Sequence, residues 1–228
     1  MITKPESIAK LIDHTLLKAD ADGRSIERLC NQAVVEGFYS VCVNPFWVKT
    51  AADYLRGEKV KVCTVIGFPL GADNPGTKAY QASTALKLGA GELDMVVNIG
   101  AVKGGDYRIV EQEIREIRKV AGDNIVKVII ETCFLDHEEK VRLCKIVRDC
   151  GADFVKTSTG FGSAGASTDD VRLLRDTVGP GVGVKASGGI RDLETLLEMV
   201  KAGARRIGTS SGVRIMEEYR QKTKKEES

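Results

Sequence analysis

The sequence predicts an α/β fold, a (β/α)8 TIM barrel that forms a single domain over residues 1–228. Three observations carry that expectation. Short apolar runs of four to eight residues recur eight times, most of them rich in Val and Ile, which suits strands buried on both faces. Amphipathic helical stripes fill the gaps between the runs. Four returns from helix to strand share one shape, with Gly37, Gly89, Gly151 and Gly203 placed to end a helix in the left-handed conformation.

The first run is L-I-D-H-T-L-L (11–17), and a helix follows Asp22-Gly-Arg-Ser25 with Ile26, Leu29, Ala33 and Val34 on its stripe. S-V-C-V (40–43) and K-V-C-T-V-I-G-F (61–68) come next, and Pro75 suits the first turn of the alanine-rich helix over 78–88. E-L-D-M-V-V-N (92–98) leads to a helix marked by Ile109, Ile114, Ile117 and Val120. V-K-V-I-I-E (126–131) precedes Asp136-His-Glu-Glu139, a capping box ahead of Val141, Leu143, Cys144 and Val147. After D-F-V-K-T (153–157), Ser167-Thr-Asp-Asp170 opens the sixth helix. G-V-G-V-K-A (181–186) is followed by Asp192-Leu-Glu-Thr195, a helix start before Leu196, Leu197, Met199 and Val200, and R-R-I-G-T (205–209) is the last run. The length, 228 residues, lies near the lower end of the roughly 200 to 400 such barrels occupy. A doubly wound open sheet is the rival. Its dinucleotide form wants G-x-G-x-x-G soon after the first strand, and the segment after Asp22 offers nothing of that kind.

Composition narrows the partners. The net charge is only +2, so no global field points to nucleic acid or an anionic membrane. Phe46-Trp47-Val-Lys49 is an isolated aromatic–basic cluster, too little for a nucleic-acid platform. The basic residues at 220–225 read as a solvated, frayed tail beginning near Arg220. No apolar run approaches the roughly 18 residues of a membrane helix, and the first seven residues lack the apolar core of a signal peptide. The six cysteines sit mostly in apolar runs, as free thiols of a reducing compartment would. A cytoplasmic location is expected.

In such a barrel, chemistry gathers where strands run into the loops that follow them. This chain sets awkward polar residues late in its apolar strands: Asp13 and His14, Asn44 just past the second run, Asp94 and Asn98, Glu131, Lys156 and Lys185. Alternation puts Asp94, Val96 and Asn98 on one face, Lys127, Ile129 and Glu131 on another, and Phe154, Lys156 and Ser158 on a third. Each has a plain structural reading, as a turn cap, an ion-pair partner or a solvent-facing lysine. Together they say more. The sixth and seventh strands are neighbours in the ring, so Lys156 and Lys185 are expected side by side at one mouth, where like charges disfavour each other's ionised form. A lysine freed of its proton is a nucleophile suited to imine formation. Lys156 is the candidate nucleophile, Lys185 its tuning neighbour and proton shuttle, and Asp94 the carboxylate that moves protons.

Two glycine-rich turns follow the last two strands, Ala186-Ser-Gly-Gly-Ile-Arg191 and Gly208-Thr-Ser-Ser-Gly212, and the loop over 157–163 can close on them. Backbone N–H groups in such turns form an anion nest, which predicts a phosphorylated substrate. Metal chemistry looks poor: His14 and His137 are the only histidines, and Asp13, His14, Cys42 and Cys63 lack the spacing of a zinc motif. From the residues alone, several readings stay open: an imine-forming aldolase, a metal-free sugar-phosphate isomerase with Asp94 or Glu131 as base, or a phosphometabolite-binding protein.

From residue 11 to about residue 212 the chain resembles the deoxyribose-phosphate aldolases. The motifs that carry the likeness are V-C-V-N-P (41–45), V-I-G-F-P-L-G (65–71), E-L-D-M-V-V-N-I-G (92–100), V-K-V-I-I-E-T (126–132), F-V-K-T-S-T-G-F (154–161), V-K-A-S-G-G-I-R (184–191) and G-T-S-S-G (208–212). The resemblance implies a barrel enzyme that reversibly cleaves 2-deoxy-D-ribose 5-phosphate to acetaldehyde and D-glyceraldehyde 3-phosphate through a lysine Schiff base. It implies Lys156 as the imine-forming lysine, Lys185 as the second lysine and Asp94 as the relay carboxylate. Gly160, Gly188, Gly189, Ser210 and Ser211 match phosphate-binding positions, and Asp13, Cys42 and Thr159 match pocket positions. It also implies no metal, no organic cofactor, no nucleic-acid or membrane partner, and a homo-oligomer, often a dimer. Two departures stand out: Gly91 replaces an acidic residue and Thr209 replaces an alanine common in the family.

Overall fold

Each of the eight apolar runs is a strand, and each pairs in parallel with the next in sequence. They are β1 (Ile12–Leu16), β2 (Ser40–Val43), β3 (Lys61–Ile66), β4 (Glu92–Val96), β5 (Ile125–Ile129), β6 (Phe154–Lys156), β7 (Gly183–Ser187) and β8 (Arg206–Thr209). Pairing of β8 with β1 closes the barrel, so the sheet has no free edge. The computed structural model describes residues 8–226. The first seven residues, read above as lacking a signal core, and the last two lie outside the described residues.

Nine α-helices accompany the strands among the described residues: α1 (Gly23–Glu36), α2 (Val48–Tyr54), α3 (Pro75–Lys87), α4 (Ile99–Lys103), α5 (Tyr107–Ala121), α6 (His137–Asp149), α7 (Thr168–Val178), α8 (Leu193–Lys201) and α9 (Gly212–Glu226). Their starts follow local chemistry. Asp22, Ser167 and Asp192 each accept a hydrogen bond from the backbone N–H three residues on, and Asp136 with Glu139 completes a capping box. Gly37, Gly89, Gly151 and Gly203 all have positive φ, as the shared return shape requires. The large apolar core fills the layer between strands and helices, with Val41, Val62, Leu93, Val126, Val155 and Val184 meeting helix residues such as Leu29, Ile114, Val147 and Leu174. Burying each such side chain contributes about 1.5–3 kcal/mol.

Several expectations need adjustment. On α5 the inward face is Tyr107, Val110, Glu113, Ile114, Ile117 and Ala121, while Val120 lies toward solvent. The cause is a fully buried ion pair: Lys78 on α3 meets Glu113 at 2.5 Å and donates to the Val96 carbonyl at 2.8 Å. Glu113 therefore belongs to the packed face, and the stripe is rotated toward α3. Asn98 does not enter the barrel; its side chain accepts from the Ala101 N–H and caps α4. His14 faces outward, bonded to Gln32 of α1 at 2.9 Å and packed on Phe38. The segment from Arg220, expected as a frayed tail, continues α9 to Glu226, and Arg220 makes two hydrogen bonds to Glu36 at 2.8 and 2.9 Å. All six cysteines are free thiols.

Candidate active site

Inside the barrel the apolar filling is small. Leu17, Cys42, Cys63 and Val65 cluster with Phe68 against them, and the remaining space belongs to charge. Register explains which charges meet. Lys156 on β6 lies directly opposite Lys185 on β7, and Lys185 opposite Arg206 on β8. Asp94 on β4 lies opposite Lys127 on β5. The carboxylate is the hub. Asp94 Oδ2 accepts from Lys156 Nζ at 2.8 Å and from Lys185 Nζ at 2.7 Å, while its Oδ1 accepts from Lys127 Nζ at 2.8 Å. Lys127 also meets Glu92 at 2.5 Å, Lys185 meets Asp13 at 2.5 Å, and Arg206 pairs with both Asp13 and Glu92. Ser40 completes the Asp13 shell at 2.7 Å.

Three carboxylates thus face four cations in one connected network. Burial alone would raise the Asp94 carboxyl, but Lys127, Lys156 and Lys185 outweigh it and hold it well below the usual carboxylate range. Asp13 behaves likewise: burial pushes up, Lys185 and Arg206 pull down, and the net is down. For Lys185, burial disfavours the ammonium, yet Asp13 and Asp94 more than compensate and its pKa is raised. Lys127 is raised well above the ordinary lysine value, with Asp94 the main support against desolvation. Lys185 is therefore a fixed cation beside Lys156, with the Asp94 oxygen between them.

One member of this network, Lys156, opens onto a cleft. A cleft of about 390 Å³ at the carboxyl ends of the strands has Lys156 in its wall, along with Thr159, Gly160, Gly188, Gly189 and Ser210. Lys156 keeps 3% of its surface exposed, whereas Lys185 and Asp94 are at 0%. Asp13 and Cys42 are fully buried and lie beneath the cleft rather than in its wall. Ser211 is one step behind it, with its N–H donating to Thr209 Oγ1 at 2.9 Å.

The loops at the other end of the cleft are tightly built. Gly160, Gly188 and Gly189 have φ of 87°, 86° and 80°, so their N–H groups turn in ways other residues seldom allow. A Cβ on Gly165 would lie 2.2 Å from the Gly188 carbonyl, and Ala166 N–H bonds both Ser187 and Gly188 carbonyls at 3.1 Å. The loop after β6 therefore lies directly on the loop after β7. Thr209, one of the two departures noted above, donates to the Ile190 carbonyl at 2.7 Å and so ties the loop after β8 to the one after β7. Helix α9 starts immediately after Ser210 and Ser211, with its positive end toward this corner.

Residues 7–218 match the model of the DeoC/LacD family of aldolases. The chain belongs to that family. The deoxyribose-phosphate aldolase of a Geobacillus species is 59% identical over 212 residues, 92% of this chain and 95% of its own. That of Thermococcus gammatolerans is 58% identical over 214 residues, with the same coverages of 92% and 95%. Among solved structures, the tetrameric deoxyribose phosphate aldolase of Aeropyrum pernix superposes with a TM-score of 0.89 at 37% identity, over 95% of this chain and 92% of that one.

Within this DeoC/LacD barrel, part of the charged floor is hard to read from the sequence. Glu92, Arg206 and Ser40 complete it around Asp13 and Asp94, and Lys127 shows in the sequence only as one member of an alternating face. The signal was available in part: Glu92 stands two residues before Asp94 on one strand, so one face carries both. Arg206 gave none, because Arg205 and Arg206 stand side by side at the start of β8 and either could have turned inward. Its guanidinium stacks on the Tyr39 ring at 3.5 Å, a contact between residues far apart in sequence. The donor set suits a metal poorly. Cys42, Cys63 and Asp94 have ligand atoms within 4.8 Å of one another, but both Asp94 oxygens already accept from ammonium groups that would repel a cation.

Proposed function

We propose that this protein reversibly cleaves 2-deoxy-D-ribose 5-phosphate to acetaldehyde and D-glyceraldehyde 3-phosphate, through an imine on Lys156. The observation that carries this reading is that Lys156, alone in the charged network, reaches the cleft while its Nζ stays bonded to Asp94. Four cations against three carboxylates leave one positive charge unmatched. The amine at the cleft wall is the one a carbonyl carbon can reach, and an imine there disturbs the buried core least.

The uncharged Nζ adds to C1 of the open-chain sugar and gives a carbinolamine. Asp94 accepts a proton from the nitrogen, and the C1 hydroxyl leaves as water after protonation, which yields the iminium. Lys185, held cationic, supplies positive charge and a proton donor to the same Asp94 oxygen. Removal of the C3 hydroxyl proton then breaks the C2–C3 bond. Its electron pair moves into the iminium as an enamine, and C3 becomes the aldehyde carbon of glyceraldehyde 3-phosphate. Protonation of the enamine at C2 and addition of water release acetaldehyde and restore the amine. The glycine turns with Gly160, Gly188, Gly189 and Ser210 suit the phosphate and fix the reacting end by binding the remote one.

The test is borohydride reduction in the presence of acetaldehyde, followed by peptide mapping. An ethyl group on Lys156 is expected; a different modified lysine, or none, overturns the assignment.

A further inference from the structure

Glu131 is absent from the reaction sequence above, and its placement is unusual. Among the described residues it is the only non-glycine residue with positive φ, at 54°. A side chain in that region strains the backbone, and such strain persists only where its surroundings impose it. The ladder shows how it arises. Ile130 N–H bonds the Lys156 carbonyl at 3.0 Å, and Thr132 N–H bonds the Thr157 carbonyl at 2.9 Å. The chain thus advances two residues beyond β5 for one beyond β6, and Glu131 is the extra residue of a bulge. Bulges of this kind re-aim a side chain.

The side chain so aimed is 1% exposed and anchors the loop that follows Lys156. Its carboxylate accepts from the Thr159 N–H at 3.1 Å and from the Thr159 hydroxyl. Thr159 Oγ1 in turn accepts from the Phe161 N–H at 3.0 Å. Gly162 packs so closely that a Cβ there would lie 3.2 Å from the Glu131 carboxyl carbon and 2.8 Å from Cys133 Sγ. This stretch is a wall between two spaces. Thr159 and Phe161 line the reaction cleft on one side and a second, apolar hollow of about 330 Å³ on the other. With a hollow behind it and Phe161 already 57% exposed, the wall has room to fall away from the cleft.

We propose that Glu131 is a positioning residue: delivered by the bulge to the back of the loop after β6, it holds residues 159–162 upright so that Thr159 and Gly160 close on the phosphate end of the substrate. This rests on the reading that Lys156 forms the imine and the glycine turns take the phosphate. Glu131 touches no reacting atom in this scheme and acts through Thr159.

Glu131→Gly is the decisive variant, because glycine accepts the positive φ and only the carboxylate is lost; Glu131→Gln keeps one acceptor oxygen. Steady-state kinetics with 2-deoxyribose 5-phosphate and with unphosphorylated 2-deoxyribose, and acetaldehyde–borohydride labelling of Lys156, separate the possibilities. Expected for Glu131→Gly is a KM for the phosphorylated sugar raised about tenfold to hundredfold. Turnover of 2-deoxyribose should stay within about threefold, Lys156 labelling should be unchanged, and Glu131→Gln should fall between the variant and the parent. An unchanged KM for the phosphorylated sugar overturns the proposal. So does an equal loss on both sugars with a lowered Tm, which marks a purely structural role. Failure of the parent protein to label at Lys156 overturns the imine reading instead, and leaves the two failures distinct.

Discussion

Lys156, Asp94 and Lys185 illustrate how little each charge means alone. Asp94 Oδ2 accepts from both amines, so removing any one changes the charge the others feel. Lys156→Ala should reduce turnover by at least about 10⁴-fold, since no other amine of the network enters the cleft. Circular dichroism should be unaltered, which separates lost chemistry from lost fold. Lys185→Leu removes a fixed cation from beside Lys156 and leaves three cations with three carboxylates. The acid limb of the kcat/KM profile should therefore move to higher pH, with a fall in rate at pH 7. A profile identical to the parent's would show that Lys185 does not act on Lys156. Asp94→Asn keeps shape but removes the negative charge and one of the two acceptor oxygens that serve three ammonium groups, and should lower kcat by about 10²–10⁴-fold with inorganic phosphate still inhibiting as in the parent.

At the level of elements, the loops after β6, β7 and β8 behave as one built unit rather than three flexible connections. Gly165 has no room for a side chain against the Gly188 carbonyl, and Thr209 bridges from Ser211 to Ile190. Gly165→Ala should push the loops apart. The expected result is a KM for the phosphorylated sugar raised about tenfold or more, with a Tm lowered by several degrees. Equal KM values would mean that the loops yield without disturbing the phosphate end. These loops were legible in the sequence as glycine-rich turns after the last strands, because the positive φ at Gly160, Gly188 and Gly189 calls for glycine. The strands were legible for a simpler reason: parallel strands covered on both faces must be apolar throughout, so Val and Ile runs mark them. What could not be read was any feature created by pairing across the chain. The Glu131 bulge depends on how β5 and β6 slip past each other, and the turn of α5 toward α3 depends on Lys78 finding Glu113. Local pattern contains neither partner.

For the molecule as a whole, the charged floor beneath Lys156 also bears on stability. Closing the barrel brings Asp13 of β1 against Arg206 of β8 and Lys185 of β7, so the seam between first and last strands is held by charge as well as by backbone bonds. That linkage has a defined pH dependence. Asp13 and Asp94 are depressed in the folded protein, so their stabilisation is fully present above the ordinary carboxylate range and is lost as pH falls through it toward their lowered values. Lys127 and Lys185 are raised, so theirs is present below about 10.4 and is lost as pH rises beyond it toward their elevated values. His14 adds a milder acid-side loss. Burial against Phe38 lowers its pKa, and stability drops from about pH 6.5 downward as the unfolded chain takes up the proton first. Urea unfolding across pH should therefore give a plateau between about pH 7 and 8, because burial raises the thiols of Cys30, Cys144 and Cys150 and the unfolded chain ionises first above about 8.5. A shallow decline should follow below it, steepening under about pH 4, with a separate fall on the alkaline side. Arg206→Met should flatten the acid limb, because Asp13 then loses one of the three cations, Lys185, Arg206 and Lys127, that hold its carboxyl down. It should also lower stability at neutral pH by about 3–5 kcal/mol, the cost of leaving buried carboxylates short of a partner. An acid limb as steep as the parent's would mean that the seam owes its strength to backbone pairing alone.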